Sequence, residues 1–124
     1  YFGPADCRDD CRRALYILRQ THIAQHKNTT RVQRVFILLD DRGLDRLPPA
    51  LKDYQPVTVL RGDRVAIDRL VAQFAFAGRP RPAGEPRIYV VDPLGNLVLH
   101  YGPELPPGSI SKDLYRLLRV SRIG

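Results

Sequence analysis

No methionine and no tryptophan occur among the 124 residues, and cysteine occurs only twice. Two cysteines cannot build a disulfide framework, so the fold must rest on an apolar core. No apolar run approaches the roughly 20 residues that cross a bilayer, and no leader with a basic start and apolar middle is visible. Internal repeats and low-complexity tracts are missing too. The chain opens at Tyr1 without an initiator methionine, so it reads as the excised part of something longer, which leaves room upstream for a secretion signal or membrane anchor. What these exclusions leave is one globular domain, residues 1–124, with a hydrophobic fraction of 44%.

Charge is what the chain has in excess. Its net charge of +7 comes mostly from arginine. Nucleic-acid binders are often this basic, but they cluster their cations and interleave aromatic stacking platforms. Here arginine is spread over every segment, while most tyrosines and phenylalanines fall at positions that read as core. Nucleic acid is therefore not the expected partner. Anionic lipid headgroups or an acidic protein suit the charge equally well.

Hydrophobic periodicity orders the chain. Residues 8–27 read as a helix, with Cys11, Ala14, Leu15 and Leu18 on one stripe and Asp6, Asp9 and Asp10 at its N-terminal end. "RVQRVFILLDD" reads as a strand covered on both faces. "RGLDRLPPALKDYQ" is a turn and a short helix, "VTVL" a strand, and "GDRVAIDRLVAQFAF" a helix capped by Asp63. Proline and glycine make residues 77–86 a loop. "RIYVVDPLGNLVLHYG" is a hairpin whose turn is built on Asp92 and Pro93. "SISKDLYRLLRV" closes the chain as an amphipathic helix with Ile110, Leu114, Leu117 and Leu118 inward. The order (β)αβ–αβα–ββα, its first strand truncated at residues 1–2, resembles the thioredoxin-like arrangement. The class is α/β: a central mixed sheet, parallel first and closed by an antiparallel hairpin, with flanking helices.

Such folds place their ligand end where the first strand hands over to the first helix, and "GPADCRDDC" lies there. Cys7 and Cys11 share a helix face at i, i+4 spacing. Free backbone N–H groups at a helix N-terminus stabilise thiolates; Arg8 and Arg12 assist, while Asp6, Asp9 and Asp10 oppose. Two thiolates there suit reversible disulfide formation or a soft ion such as Cu(I). Two small buried hydrophobes are the bland alternative. Pro86 stands nine residues before Gly95, where thioredoxin-like thiol oxidoreductases keep a cis-proline; a proline at a strand's first residue is also sterically ordinary.

With these residues in place, the chain resembles the Sco/SenC-type proteins of cytochrome oxidase assembly over nearly its whole length. The likeness runs through the C-x3-C of Cys7 and Cys11, "LLDDRGLDRLPPALKDY", "VLRGDRVAIDRLVAQF" and "IYVVDPLGNLVLHYG" with Tyr89, Asp92, Gly95, Tyr101 and Gly102. The ending "KDLYRLLRVSRIG" resembles a branch of membrane-anchored proteins of Gram-negative bacteria. The resemblance implies a thioredoxin-like fold, a place at the periplasmic face of the inner membrane, and a terminal oxidase subunit or another periplasmic redox protein as partner. It also implies copper held by Cys7, Cys11 and one histidine. That histidine's place is Gly84 here, and Arg8 and Arg12 replace the family's prolines after each cysteine.

Other histidines are poor substitutes. His22 and His26 have metal-binding spacing, but even His22 sits about 16 Å beyond Cys11 along a helix. His100, at the end of the last strand, is the remaining candidate third ligand. Three readings follow. The first is an oxidase assembly factor using the pair for thiol redox or weak Cu(I) binding. The second is a general thiol–disulfide oxidoreductase, an enzyme with Cys7 as nucleophile, Cys11 resolving and Pro86 shaping the groove. The third is a degenerate interaction module that docks through its basic surface.

Overall fold

The computed structural model describes residues 1–74, 87–102 and 107–120. Three parallel strands, β1 (Phe2–Gly3), β2 (Val35–Leu38) and β3 (Thr58–Leu60), lie in the order β1-β2-β3. Phe2 is paired with Ile37 and Val35 with Thr58. The unbroken apolar run of β2 is explained by its central place, because both of its faces are covered. Phe36 and Leu38 point into a cluster with Tyr1, Cys7, Cys11, Ala14 and Leu15. Ile37 points the other way, into a cluster with Phe2, Ile67 and Val71.

The helices follow from these two faces. α1 (Asp9–Ile23) buries Cys11, Ala14, Leu15 and Ile17. α2 (Leu47–Leu51), flanked by short 3-10 turns, adds Leu47 and Leu51 to the first cluster. α3 (Arg64–Gln73) covers the second face through Ile67 and Val71. As expected, Asp63 caps it: the side chain accepts from the Ala66 N–H at 2.8 Å. α4 (Pro107–Val120) packs beside α1, where Ile110 joins Ile17 of α1 in a third cluster.

The hairpin pairs β4 (Ile88–Val91) with β5 (Leu97–Tyr101), Tyr89 opposite His100. Its turn is the expected one: Asp92 Oδ1 accepts from the N–H groups of Leu94 and Asn96, and Gly95 takes a φ of +88°. These bonds to the ionised form hold the Asp92 carboxyl below the usual carboxylate range. Among the described residues the hairpin meets the parallel sheet through rings rather than through a shared backbone ladder. Phe2 and Tyr89 pack edge to face at 5.7 Å, and Phe74 packs against both. With two residues, β1 offers little backbone for a second ladder.

The first helix departs from expectation. It ends at Ile23, not residue 27, and a 3-10 segment follows over His26–Arg31. His26 has a φ of +50°, a left-handed conformation that an α-helix does not tolerate. The cause is tertiary. The buried Gln25 amide donates back to the Thr21 carbonyl and across to that of Ser111, so the chain turns to meet α4.

Candidate functional site

At the carboxyl end of β1 the chain leaves the sheet and enters α1 through Pro4–Arg8, the end where parallel α/β sheets bind their ligands. Cys7 and Cys11 are joined as a disulfide, with Cα atoms 5.1 Å apart. They are 7% and 3% exposed and belong to the cluster under α1. The first helical hydrogen bond runs from Arg12 N–H to the Arg8 carbonyl at 2.8 Å. Arg8, at the N-cap, makes no side-chain cap, so the first-turn N–H groups keep their positive end beside the cysteines.

An open cleft exposes this end of the molecule, lined by Pro4, Asp6, Arg8, Asp9, Asp10, Cys11, Asp40 and Arg42. The last two follow β2, so the turns after two adjacent parallel strands build the walls. Asp6 accepts from Arg8 Nε at 2.9 Å and lies 3.7 Å from Arg46. Gly43, at a φ of +76°, allows that approach: a Cβ there would stand 2.7 Å from the Arg46 guanidinium and 3.1 Å from Asp6 Cβ. Asp40 pairs with Arg42 at 3.8 Å. Four carboxylates against two guanidiniums make the cleft locally acidic on a chain of net charge +7. Behind it, burial and then the Asp10 charge push the Tyr1 phenol up to about 12, which keeps it protonated at neutral pH.

Residues 1–121 match the family model described as the transmembrane-like, thioredoxin-like, C-terminal domain. The chain belongs to this family. No curated protein matches the sequence. Two solved structures share the fold of this thioredoxin-like domain. ScoI of Bradyrhizobium japonicum, with copper bound, is 22% identical, with a TM-score of 0.69 over 94% of this chain and 81% of that one. ScoI of Arabidopsis thaliana, with copper bound, is 20% identical, with a TM-score of 0.76 over 98% of this chain and 83% of that one. The thioredoxin-like arrangement and the Sco-like course of the chain, both expected from sequence, are thus borne out in the fold. Among the described residues no helix is long and apolar enough to cross a membrane.

The thioredoxin-like domain brings Cys7 and Cys11 together but places the histidine candidates elsewhere. Pro86 and Gly84 lie outside the described residues. His100 lies opposite Tyr89, and paired residues share a sheet face. Tyr89 belongs to the α3-side cluster, whereas the disulfide lies on the α1 side. His100 thus faces away from the cysteines, and its Nδ1 lies 3.2 Å from an Arg87 Nη1. His22 and His26 do not share a helix. Arg34 Nε donates to His22 Nδ1 at 3.0 Å, so the ring carries its proton on Nε2, which meets the Thr29 carbonyl at 2.7 Å. Among the described residues no group of three or more His, Cys, Asp and Glu is arranged for a metal ion.

Sequence reasoning missed Arg34, which is buried and also donates to the Tyr54 carbonyl at 2.9 Å. Burial, and then the charge of Arg19, lowers its pKa. It also missed Asp40 and Arg42 as cleft walls. The signal for those two was their place at the carboxyl end of the central strand.

Proposed function

We propose that this domain is a periplasm-facing accessory or assembly factor for a haem-copper terminal oxidase, acting through reversible thiol–disulfide exchange at Cys7 and Cys11. A membrane-anchoring segment outside this chain holds it at the inner membrane, and its partner is an oxidase subunit or another periplasmic redox protein. The observation that carries the reading is the disulfide at the head of α1, with Cys11 on the wall of an open cleft. The family match and the fold shared with two ScoI structures support it.

The chemistry balances within the pair and its partner. A partner thiolate attacks one sulfur and forms a mixed disulfide, and the other cysteine leaves as thiolate. A second partner thiolate then displaces the bound cysteine, leaving the partner oxidised by two electrons and the domain as dithiol. In reverse, Cys7 is the attacking thiolate and Cys11 resolves. Cys7 precedes the helix, where uncapped N–H groups favour its charged form, and it is the more exposed of the two. Cys11→Ser is expected to trap a mixed disulfide with a disulfide substrate and Cys7→Ser to trap none. If neither exchanges, and the wild-type pair equilibrates with no dithiol buffer, the redox reading fails and an interaction module remains.

A second reading, Cu(I) as cargo of the reduced pair, is favoured by the copper in both ScoI structures. Two thiolates suit that soft ion, but the described neighbours are hard carboxylates, and His22 and His100 are placed elsewhere. Among the described residues this donor set does not complete a three-ligand site. An anaerobic Cu(I) titration against a competing chelator decides the matter. One tight equivalent, lost in Cys7→Ser and Cys11→Ser, is the result that establishes cargo binding.

A further inference from the structure

The basic residues of α4 form a stripe along one side of the helix. Lys112, Tyr115, Arg116 and Arg119 recur at i, i+3, i+4 and i+7, and all four are exposed, Tyr115 at 44%. Opposite them, Ile110 is buried against Ile17. The helix has one carboxylate, Asp113, and it is turned inward: Tyr101 Oη donates to its Oδ2 at 2.9 Å. Among the described residues none of the three stripe cations has an ion-pair partner, whereas Arg61 and Arg64 beyond the other sheet face each have one. The Arg119 guanidinium lies 5.9 Å from the Tyr115 ring centre, so cation and aromatic act as one unit. Neighbouring α1 adds exposed Arg12, Arg13 and Tyr16 to the same helix layer.

We propose that this α4 stripe docks the domain on an anionic lipid bilayer. The inference rests on the reading that places the domain at a membrane face, and it adds which surface meets the lipid. Three cations and a tyrosine in line over about 10 Å of helix suit a flat sheet of phosphates. Tyrosine sits at headgroup level, with its ring in the apolar boundary and its hydroxyl in water. The cleft beside the disulfide carries the opposite local sign. A negative surface therefore attracts α4 and repels the cleft, which leaves the cysteines open to a protein partner.

The test is co-sedimentation of the 124-residue chain with phosphatidylglycerol vesicles and with neutral phosphatidylcholine vesicles, at low and physiological salt. Binding to the anionic vesicles alone, weakening with salt, is expected. The triple variant Lys112→Gln, Arg116→Gln, Arg119→Gln is expected to bind on the order of 100-fold more weakly. Arg61→Gln, Arg64→Gln, Arg69→Gln removes the same charge from α3 and the turn before it and is expected to bind within a few-fold of wild type. Equal loss in both variants would show that net charge binds, not the stripe, and overturns the proposal. So does failure of wild type to bind phosphatidylglycerol while immobilised polyglutamate retains it, which would assign the stripe to an acidic protein. The rate at which a small dithiol opens Cys7–Cys11 is read in the same samples. Exchange with no vesicle binding sinks the docking surface alone, and vesicle binding without exchange sinks the redox reading alone.

Discussion

Reducing the Cys7–Cys11 bond is expected to weaken the fold by only about 2 kcal/mol, leaving the dithiol form native. The two cysteines are four positions apart. Loop-closure entropy for so short a ring is roughly 7 cal/mol/K, which gives the 2 kcal/mol at 25 °C, against nearly 5 for a ring of about 100 residues. The core around the pair does not need the bond: Phe36 of β2 and Leu15 of α1 are 0% and 1% exposed. A domain of ordinary stability, about 5–15 kcal/mol, survives the loss. Urea unfolding followed by circular dichroism, with and without reductant, measures it. The expected result is an unchanged slope and a midpoint lowered by about 1 M. By linkage, the same 2 kcal/mol sets the folded pair about 40 mV more reducing than the pair in the unfolded chain. Loss of more than about 4 kcal/mol, or unfolding on reduction, would make the bond a structural staple. The redox reading would then lose its reduced state.

Three further perturbations separate the site from its scaffold. Arg34→Met strands His22 Nδ1 and the Tyr54 carbonyl and should lower stability by about 2 kcal/mol; a change within 0.5 kcal/mol of zero would refute that account. Burial, then the bond to Asp113, raises the Tyr101 phenol above its ordinary value. Its stabilisation is therefore whole below about pH 10 and is lost as the pH climbs through the folded-state value. Tyr101→Phe should flatten that alkaline decline in melts between pH 9 and 12; an unchanged decline would point to other groups. Asp9→Asn and Asp10→Asn should each lower the pKa of the reduced site thiols by about half a unit, the effect of one charge roughly 6 Å away in a water-like medium. Alkylation rates against pH read it, and unmoved or raised values would exclude the first-turn carboxylates as the opposing charge.

What the sequence made legible was whatever local patterning decides. The two-faced apolar run of β2, the Asp63 cap and the Asp92 turn each rest on a few adjacent residues, and each stands as expected. The end of α1 did not, because Gln25 finds a partner 86 residues away in Ser111. Periodicity registers a helix face and is blind to a long-range amide bond. Arg34 escaped for the same reason: it is an ordinary arginine until folding puts His22 and Tyr54 around it. The cysteine pair was legible as a pair. Its acidic cleft was half legible, since Asp6, Asp9 and Asp10 are neighbours in the chain, while Asp40 and Arg42 arrive from the next strand.

The electrostatics of that cleft bear on the direction of the proposed exchange. An uncapped helix N-terminus alone would favour thiolate, and a pair whose reduced form is strongly stabilised is an oxidant. Here the first turn carries Asp9 and Asp10, and Asp40 closes the far wall. Asp6 counts for less, because Arg8 and Arg46 already balance it. Arg8 and Arg42 reach out into solvent at 82% and 91% side-chain exposure, where screening weakens their hold on a buried sulfur. The remaining balance raises the energy of a thiolate at this site and leaves the dithiol without special stabilisation. Such a pair gives up electrons more readily than it takes them. Of the two directions of the proposed exchange, the charge balance favours the one in which Cys7 attacks a partner's disulfide, with the Cys7–Cys11 bond as its product state.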